Sequence, residues 1–332
     1  MTQPLHVLVT GAAGQIGYVL AFRIANGDLF GERDVVLHLL EISPAMKALE
    51  AVVMELHDCT FPHLLHVIGT SDLEEAFRDV DVAFLVGSFP KKPSTKLVDY
   101  FQRNASIYSE HGRALSDFAK PTVKVLVIGM PTNTNALVAM TAAVNLSPKN
   151  FCAMTRLDHN RAVYSIAQKL GVHHSKVYKV VIWGNRSSSQ IPDVSNAEYQ
   201  DETGRHHILE KVSEEYVNTE FSSDLAQRGN KVTMMRGASS AASAATAAIQ
   251  CMRDWLYGTP ADNFVSMSVP VPESSPYGVK PGIFFSFPCT VDKEGNIHVV
   301  EGLPVDEATA KKIKQQEEEI LNELKILATP EE

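Results

Sequence analysis

The chain has 332 residues, of which 45% are hydrophobic and 21% charged, so its length predicts two domains rather than one hydrophobic core. A formal net charge of −9 with no basic block excludes the basic face that nucleic-acid binding needs. No run is apolar enough to span a membrane, no secretory leader is recognisable, and the four cysteines form no C-x-x-C pair, so we expect a soluble cytosolic protein.

The first predicted element is a short strand that leads directly into a glycine-rich turn. His6–Thr10 are rich in β-forming residues, and the turn Gly11-Ala12-Ala13-Gly14-Gln15-Ile16-Gly17 has glycines three residues apart. Tyr18–Ile24 then predict a helix with one buried face. Such a turn lets the backbone approach a pyrophosphate, and the helix start offers N–H groups to the anion. This order predicts a dinucleotide-binding unit.

An acidic residue follows the second predicted strand. The apolar run Val35–Leu40 ends at Glu41. In dinucleotide folds an acid about twenty residues past the glycines binds the ribose hydroxyls, and its charge repels a 2′-phosphate. Glu41 therefore predicts NAD rather than NADP, the alternative being a structural turn followed by a surface glutamate.

Strands and helices continue to alternate as far as about residue 150. Residues 45–58 predict a helix whose apolar stripe meets either the core or a second subunit. The run Val80–Val86 predicts a buried parallel strand that ends at Gly87, where ligands bind in such sheets. Residues 90–98 predict an exposed mobile loop before a helix over 98–119. Residues 1–153 are therefore predicted to form a doubly wound parallel sheet in an α/β fold.

Residues 154–332 predict a second domain of mixed strands and helices. The predicted elements are a helix over 162–170, a strand over 177–183, helical residues 205–229, a small-residue helix that opens at 237, short strands over 264–269, 282–287 and 297–300, and a helix over 306–327. The last helix has an apolar inner stripe of Ile313, Ile320, Leu324 and Leu327.

Several motifs, in order along nearly the whole chain, resemble the cytosolic type of malate dehydrogenase, a member of the lactate/malate dehydrogenase superfamily. They are Gly11–Gly17, Met54-Glu55-Leu56-x-Asp58-Cys59, Leu157–Arg161, Ile182–Asn185 and Val299–Gly302. The resemblance implies a Rossmann domain, a mixed α/β substrate domain, NAD and a homodimer. It also implies hydride exchange between nicotinamide and C2 of a 2-hydroxy acid, and it extends the cofactor site to Gly87 and Asn104.

The resemblance assigns two substrate-site roles to residues that match the family. Asp158 holds the position of the aspartate that orients a histidine base. Arg161 holds the position of the arginine that binds the C1 carboxylate, for which a planar guanidinium fork is suited. The alternatives are a helix N-cap for Asp158 and a surface ion pair for Arg161.

Other positions depart from the family. The histidine of the family motif W-G-N-H is Arg186 here, and a guanidinium with a pKa above ~12 cannot act as a base near neutral pH. The family asparagine after Gly129 is Met130, and the two loop arginines fall at Lys91 and Leu97. Lys91 keeps a charge without a fork, and Lys96 is a possible substitute for the charge absent at Leu97.

Two functions remain open from the sequence. One is an NAD-dependent oxidoreductase of a 2-hydroxy or 2-oxo acid with weak malate turnover, for which the apolar Leu97 and Met130 favour an aromatic or aliphatic 2-oxo acid. The other is a non-catalytic NAD-binding protein. In either case Arg186 is expected to pair with Asp158, where it fills the pocket or offers positive charge to an anion.

Overall fold

The structure, a computed structural model, describes residues 3–91 and 94–328. It divides into two compact units. The described parts of residues 1–153, 241–252 and 323–332 form unit 1, and residues 154–240 and 253–322 form unit 2.

The centre of unit 1 is a sheet of six parallel strands. These strands are β1 (Leu5–Thr10), β2 (Val35–Leu40), β3 (Leu64–Thr70), β4 (Val82–Leu85), β5 (Lys124–Val127) and β6 (Phe151–Ala153). Their order is β3-β2-β1-β4-β5-β6, with parallel pairing throughout. Every residue of β2 and β4 is buried, as expected for strands covered on both faces. This is the Rossmann arrangement, so the predicted doubly wound sheet is confirmed.

Five helices connect the strands of unit 1. They are α1 (Gln15–Ala25), α2 (Met46–Asp58), α3 (Leu73–Phe77), α4 (Leu97–Phe118) and α5 (Thr132–Ala142). Leu49, Val52 and Leu56 of α2 are buried. A Cβ placed at Gly69 of β3 would lie 3.0 Å from the side chain of Val53, so the apolar stripe of α2 packs on its own sheet.

Unit 2 combines short strands with helices. It contains α6 (Arg156–Leu170), β7 (Val177–Tyr178), β8 (Val181–Trp183), β9 (Ile191–Asp193), β10 (Glu198–Asp201), β11 (Gly204–His207), α7 (Glu214–Tyr216), α8 (Ser222–Arg236), β12 (Val265–Pro270), β13 (Phe284–Val291) and β14 (Ile297–Val299). Strands β12, β13 and β14 pair antiparallel, as do β8 with β9 and β10 with both β7 and β11. Helices α9 (Ala242–Tyr257) and α10 (Glu307–Leu327) each contribute residues to both units.

Three local predictions for unit 2 were wrong. Residues 205–229 are not one helix, because β11 pairs with β10 and a five-residue π-helical turn, Val217–Phe221, precedes α8. The predicted strand 177–183 is two strands, because Lys179 has a φ of 60°. The small-residue helix begins at Ala242, since Gly237 with a φ of 70° ends α8.

No helix in residues 3–91 and 94–328 has the length and apolarity to cross a membrane. The same residues hold no cluster of three or more histidine, cysteine and acidic side chains suited to a metal ion.

Candidate active site

The glycine turn of unit 1 has the geometry of a phosphate cradle. Gly11 has a φ of 64°, and its N–H donates to the carbonyl of Leu40 at 2.9 Å. A Cβ at Gly17 would lie 2.3 Å from the carbonyl oxygen of Gly11, so any side chain there would force the turn open. No side chain caps α1, and the first N–H groups of a helix have no partner within it. The cradle therefore fits a dinucleotide pyrophosphate.

Gly87 and Glu41 lie at the ends of strands that flank the glycine turn. The Gly87 N–H donates to the carbonyl of Thr10, and a Cβ at Gly11 would lie 2.7 Å from the Cα of Gly87. Glu41 directly follows β2, and its carboxylate accepts the N–H of Ile42 at 3.0 Å. Both residues therefore lie beside the glycine turn, and their roles at the cofactor stay predictions.

Asn104 has a supporting place in α4. Its side chain is fully buried, accepts the N–H of Phe89 at 2.8 Å, and donates to the carbonyls of Phe89 and Tyr100. The amide therefore holds the chain that follows β4, and a role of Asn104 at the cofactor stays a prediction.

The candidate catalytic residues meet at the start of α6 in unit 2. Arg161 Nη1 lies 3.2 Å from Asp158 Oδ1, and Arg186 Nε lies 3.3 Å from Asp158 Oδ2. The Asp158 side chain is 6% exposed, and each arginine side chain is 15% exposed. Residue Thr155, not Asp158, occupies the N-cap of α6. Asp158 therefore bridges two guanidinium groups within a largely buried cluster, instead of capping the helix.

Positive charge surrounds Arg161. Burial lowers the pKa of Arg161, Asp158 raises it, and Arg186 and Arg228 lower it further. Arg228, on α8, forms an ion pair with Asp224. Sequence reasoning missed Arg228, because its place in a polar helix gives no signal that α8 packs near α6. The electrostatics suit the binding of a small anion such as a carboxylate.

The described histidines offer no base that is bonded to Asp158. His159 Nδ1 lies 3.0 Å from Ser266 Oγ, and burial lowers the pKa of His159 to about 3. His111 is buried in α4, where burial lowers its pKa to about 4. Among the described histidines, none is hydrogen-bonded or ion-paired to Asp158 in the structure. His173 and His174 form an exposed pair of rings 4.0 Å apart.

The remaining predicted substrate residues belong to unit 1. Lys91 is exposed, with its Nζ 5.7 Å from the centre of the Tyr100 ring. Leu97 is the first residue of α4 and is 46% exposed. Met130 is 39% exposed, and its sulfur accepts the hydroxyl of Thr132 at 3.1 Å. Lys92 and Pro93 of the predicted loop lie outside the described residues.

Comparison with protein families matches both halves of the chain. Residues 5–152 match the family described as “lactate/malate dehydrogenase, NAD binding domain”, and residues 155–329 match “lactate/malate dehydrogenase, alpha/beta C-terminal domain”. The chain belongs to the lactate/malate dehydrogenase family. The predictions of the family, of a Rossmann oxidoreductase and of NAD as cofactor are thereby confirmed.

Similar proteins within this family include malate dehydrogenases and a lactate dehydrogenase. A malate dehydrogenase of Cutibacterium acnes is 45% identical over 97% of each chain. The structure of a Trichomonas vaginalis lactate dehydrogenase in complex with NADH and oxamate is 47% identical, with a TM-score of 0.94 over 98% of each chain. A malate dehydrogenase of Naegleria fowleri is 40% identical, with a TM-score of 0.93 over 99% of each chain. Overall similarity to these relatives therefore does not determine whether the substrate of this chain is malate or lactate.

Proposed function

We propose that this chain is an NAD-linked dehydrogenase of a 2-hydroxy or 2-oxo acid whose proton-transfer residue has been replaced by Arg186. It binds the acid as an anion and transfers hydride slowly at neutral pH. The observation that carries the proposal is the 3.3 Å contact between Arg186 Nε and Asp158 Oδ2. It pairs the aspartate with a permanent cation where the family has an imidazole.

The roles of this chain's residues follow from their chemistry. The turn from Gly11 to Gly17 holds the pyrophosphate, and Glu41 holds the ribose. Arg161 binds the carboxylate of the acid, and Arg186 stabilises negative charge on the oxygen at C2. When bound, NAD supplies the hydride acceptor or donor. Because Arg186 cannot accept a proton near neutral pH, the hydroxyl proton passes to solvent. Loss of a general base costs about 10²–10⁴ in rate.

The direct test is the exchange of Arg186 for a residue that can transfer a proton. Arg186→His is expected to raise the turnover of the best 2-oxo acid by about 10²–10⁴. Arg186→Leu is the matched control, since it removes the guanidinium without supplying a base, and we expect it to lower turnover. NADH oxidation is measured with oxaloacetate, pyruvate and an aromatic 2-oxo acid. Rapid oxaloacetate reduction by the natural chain would contradict the proposal.

A non-catalytic NAD-binding protein is the second candidate function. The orientation of His159 favours this candidate, because the imidazole next to Asp158 in sequence is hydrogen-bonded to Ser266. This candidate predicts tight NADH binding and no turnover of any 2-oxo acid. It also predicts that Arg186→His gains little, because further residues of the site have changed.

We also propose that residues 1–153 act as the cofactor domain, that residues 154–332 act as the substrate domain, and that the chain works as a cytosolic homodimer. The family resemblance supports the dimer, and the four scattered cysteines, none of which the structure joins in a disulfide, support a reducing compartment. Light scattering measures the subunit number directly, and a monomer at working concentration would contradict the dimer.

A further inference from the structure

The residues 184–190, here named the Arg186 loop, join β8 to β9 in unit 2. Gly184 and Asn185 are buried, and Arg186 is intermediate in exposure. The position of Arg186 against Asp158 therefore depends on what fixes the main chain on either side of it.

Strand β13 fixes the beginning of the Arg186 loop. Gly184 and Ser286 exchange two backbone hydrogen bonds, of 3.1 Å and 3.0 Å. The Ser286 hydroxyl also donates to the carbonyl of Ile182 at 2.7 Å. These bonds hold the chain up to Gly184, and they make no contact with the residues after it.

Helix α10 holds the next part of the Arg186 loop. Gln316 Oε1 accepts the N–H of Asn185 at 3.0 Å, and Gln316 Nε2 donates to Ser189 Oγ at 3.0 Å. Glu319 accepts the side-chain amide of Asn185 at 3.0 Å and the hydroxyl of Ser189. A Cβ at Gly184 would lie 2.6 Å from the Gln316 side chain, so the packing is close as well as polar.

We propose that Gln316 and Glu319 are positioning residues that set residue 186 against Asp158. They contact Asn185 and Ser189 on both sides of Arg186. Gln316 is 3% exposed, so a change there leaves the Asn185 N–H buried without its acceptor. The functional meaning of this placement rests on the function proposed above, whereas the predicted coupling between Arg186 and Asp158 does not.

A double-mutant cycle tests the placement without any assay of activity. Asp158→Asn and Arg186→Met are made singly and together, first in the natural chain and then in a Gln316→Met chain. Unfolding by urea is followed by tryptophan fluorescence, because Trp183 and Trp255 both belong to unit 2. We expect a coupling of at least about tenfold between the unfolding equilibrium constants in the natural chain. In the Gln316→Met chain we expect a coupling close to one.

Glu317 supplies the matched control on the same helix. It is 1% exposed, and its Oε1 accepts the N–H of Lys280 at 3.0 Å, away from the Arg186 loop. Glu317→Met thus also removes a buried acceptor of a backbone N–H from α10. If α10 acts only as general support, the coupling falls equally in Glu317→Met and Gln316→Met, and that result would overturn the proposal.

Anion binding gives the functional measurement. The dissociation constant of oxamate with NADH present is expected to rise about tenfold in Gln316→Met and to stay unchanged in Glu317→Met. Gln316→Glu keeps an acceptor for the Asn185 N–H but loses the amide that donates to Ser189 and Glu319, so it is expected to restore only part of the affinity. NADH binding should be the same in all variants. A natural chain that binds NADH but not oxamate would refute the proposed function. The double-mutant cycle would still test whether Gln316 and Glu319 position residue 186 against Asp158.

Failure of Gln316→Met to fold does not end the test. Ser189→Ala removes the loop's hydroxyl contact with both Gln316 and Glu319 at an exposed position, where the fold tolerates change. We expect it to lower the coupling between Arg186 and Asp158 partway towards one. An unchanged coupling in Ser189→Ala, or in a folded Gln316→Met chain, would overturn the proposal.

Discussion

Replacing Asp158 by asparagine removes the carboxylate that joins Arg161 to Arg186. Each of the two contacts is a charge-assisted hydrogen bond with side chains at most 15% exposed. A hydrogen bond to a charged group contributes about 1.5–3 kcal/mol, and removing one partner of a buried ion pair costs about 3–5 kcal/mol. The asparagine oxygen still accepts one bond, so we expect the free energy of unfolding to fall by about 3 kcal/mol.

The same change should strengthen anion binding. Two like unit charges about 5 Å apart repel by about 3 kcal/mol at an effective dielectric constant of about 20, and the loss of the Asp158 charge removes a repulsion of this order, before the loss of arginine placement is considered. We therefore expect the dissociation constant of oxamate to fall about tenfold in Asp158→Asn, although the variant is less stable. Binding is measured by titration calorimetry, and stability by urea unfolding followed by tryptophan fluorescence.

Asp224→Asn is the control for the Asp158 experiment. Asp224 pairs with Arg228 through an i,i+4 contact, and its side chain is 38% exposed. Such a pair contributes less than about 1 kcal/mol. If Asp158→Asn destabilises the protein no more than Asp224→Asn does, Asp158 does not hold the two arginines together, and the reasoning is wrong.

Four further outcomes are expected. Burial lowers the pKa of His111 to about 4 and that of His159 to about 3 in the folded chain, whereas a histidine in the unfolded chain has a pKa of about 6.5. As the pH falls, both residues are therefore protonated in the unfolded chain before they are protonated in the folded chain. Stability should therefore fall as the pH falls from 7 to 5, by roughly 4 kcal/mol from the two groups, and equal urea midpoints at both pH values would contradict this. Gly17→Ala should raise the dissociation constant of NADH at least about tenfold, since its Cβ would lie 2.3 Å from the Gly11 carbonyl oxygen. An unchanged dissociation constant, measured by fluorescence titration, would show that the turn from Gly11 to Gly17 does not bind the cofactor. Glu41→Ser should narrow a preference for NADH over NADPH, measured as the ratio of the two dissociation constants. Turnover of the natural chain should show no inflection near pH 6.5, whereas Arg186→His should acquire one, and an inflection already present in the natural chain would indicate another base.

The sequence predicted unit 1 better than unit 2 for a physical reason. In unit 1 the strands are continuous apolar runs, and the glycine turn allows few conformations, so local signals agree with the fold. In unit 2 the strands are two to eight residues long, and pairing decides their place. Gly204–His207 has a helical-looking context, yet it pairs with β10.

The residues around the candidate site show the limit of local reasoning. Asp158 and Arg161 could be found because they match the family motif Leu157–Arg161, and their three-residue spacing is consistent with one face of a helix. The contact of Arg186 with Asp158 was an expectation from the family resemblance, and the structure has it at 3.3 Å. Gln316 and Glu317 lie on the inner face of α10 with Ile313 and Ile320, although polar residues at those positions predict exposure. Their partners, Asn185 and Lys280, are far away in sequence, so no local spacing pattern could predict these contacts.

The support of the Arg186 loop bears on how this site can evolve. Gln316 and Glu319 bond to Asn185 and Ser189, which lie on either side of position 186. The side chain at that position can therefore change while its neighbours stay in place. Arginine and histidine codons can differ by a single base. Evolution could thus replace a histidine at position 186 by arginine, or an arginine by histidine, without changes in the residues that hold the loop.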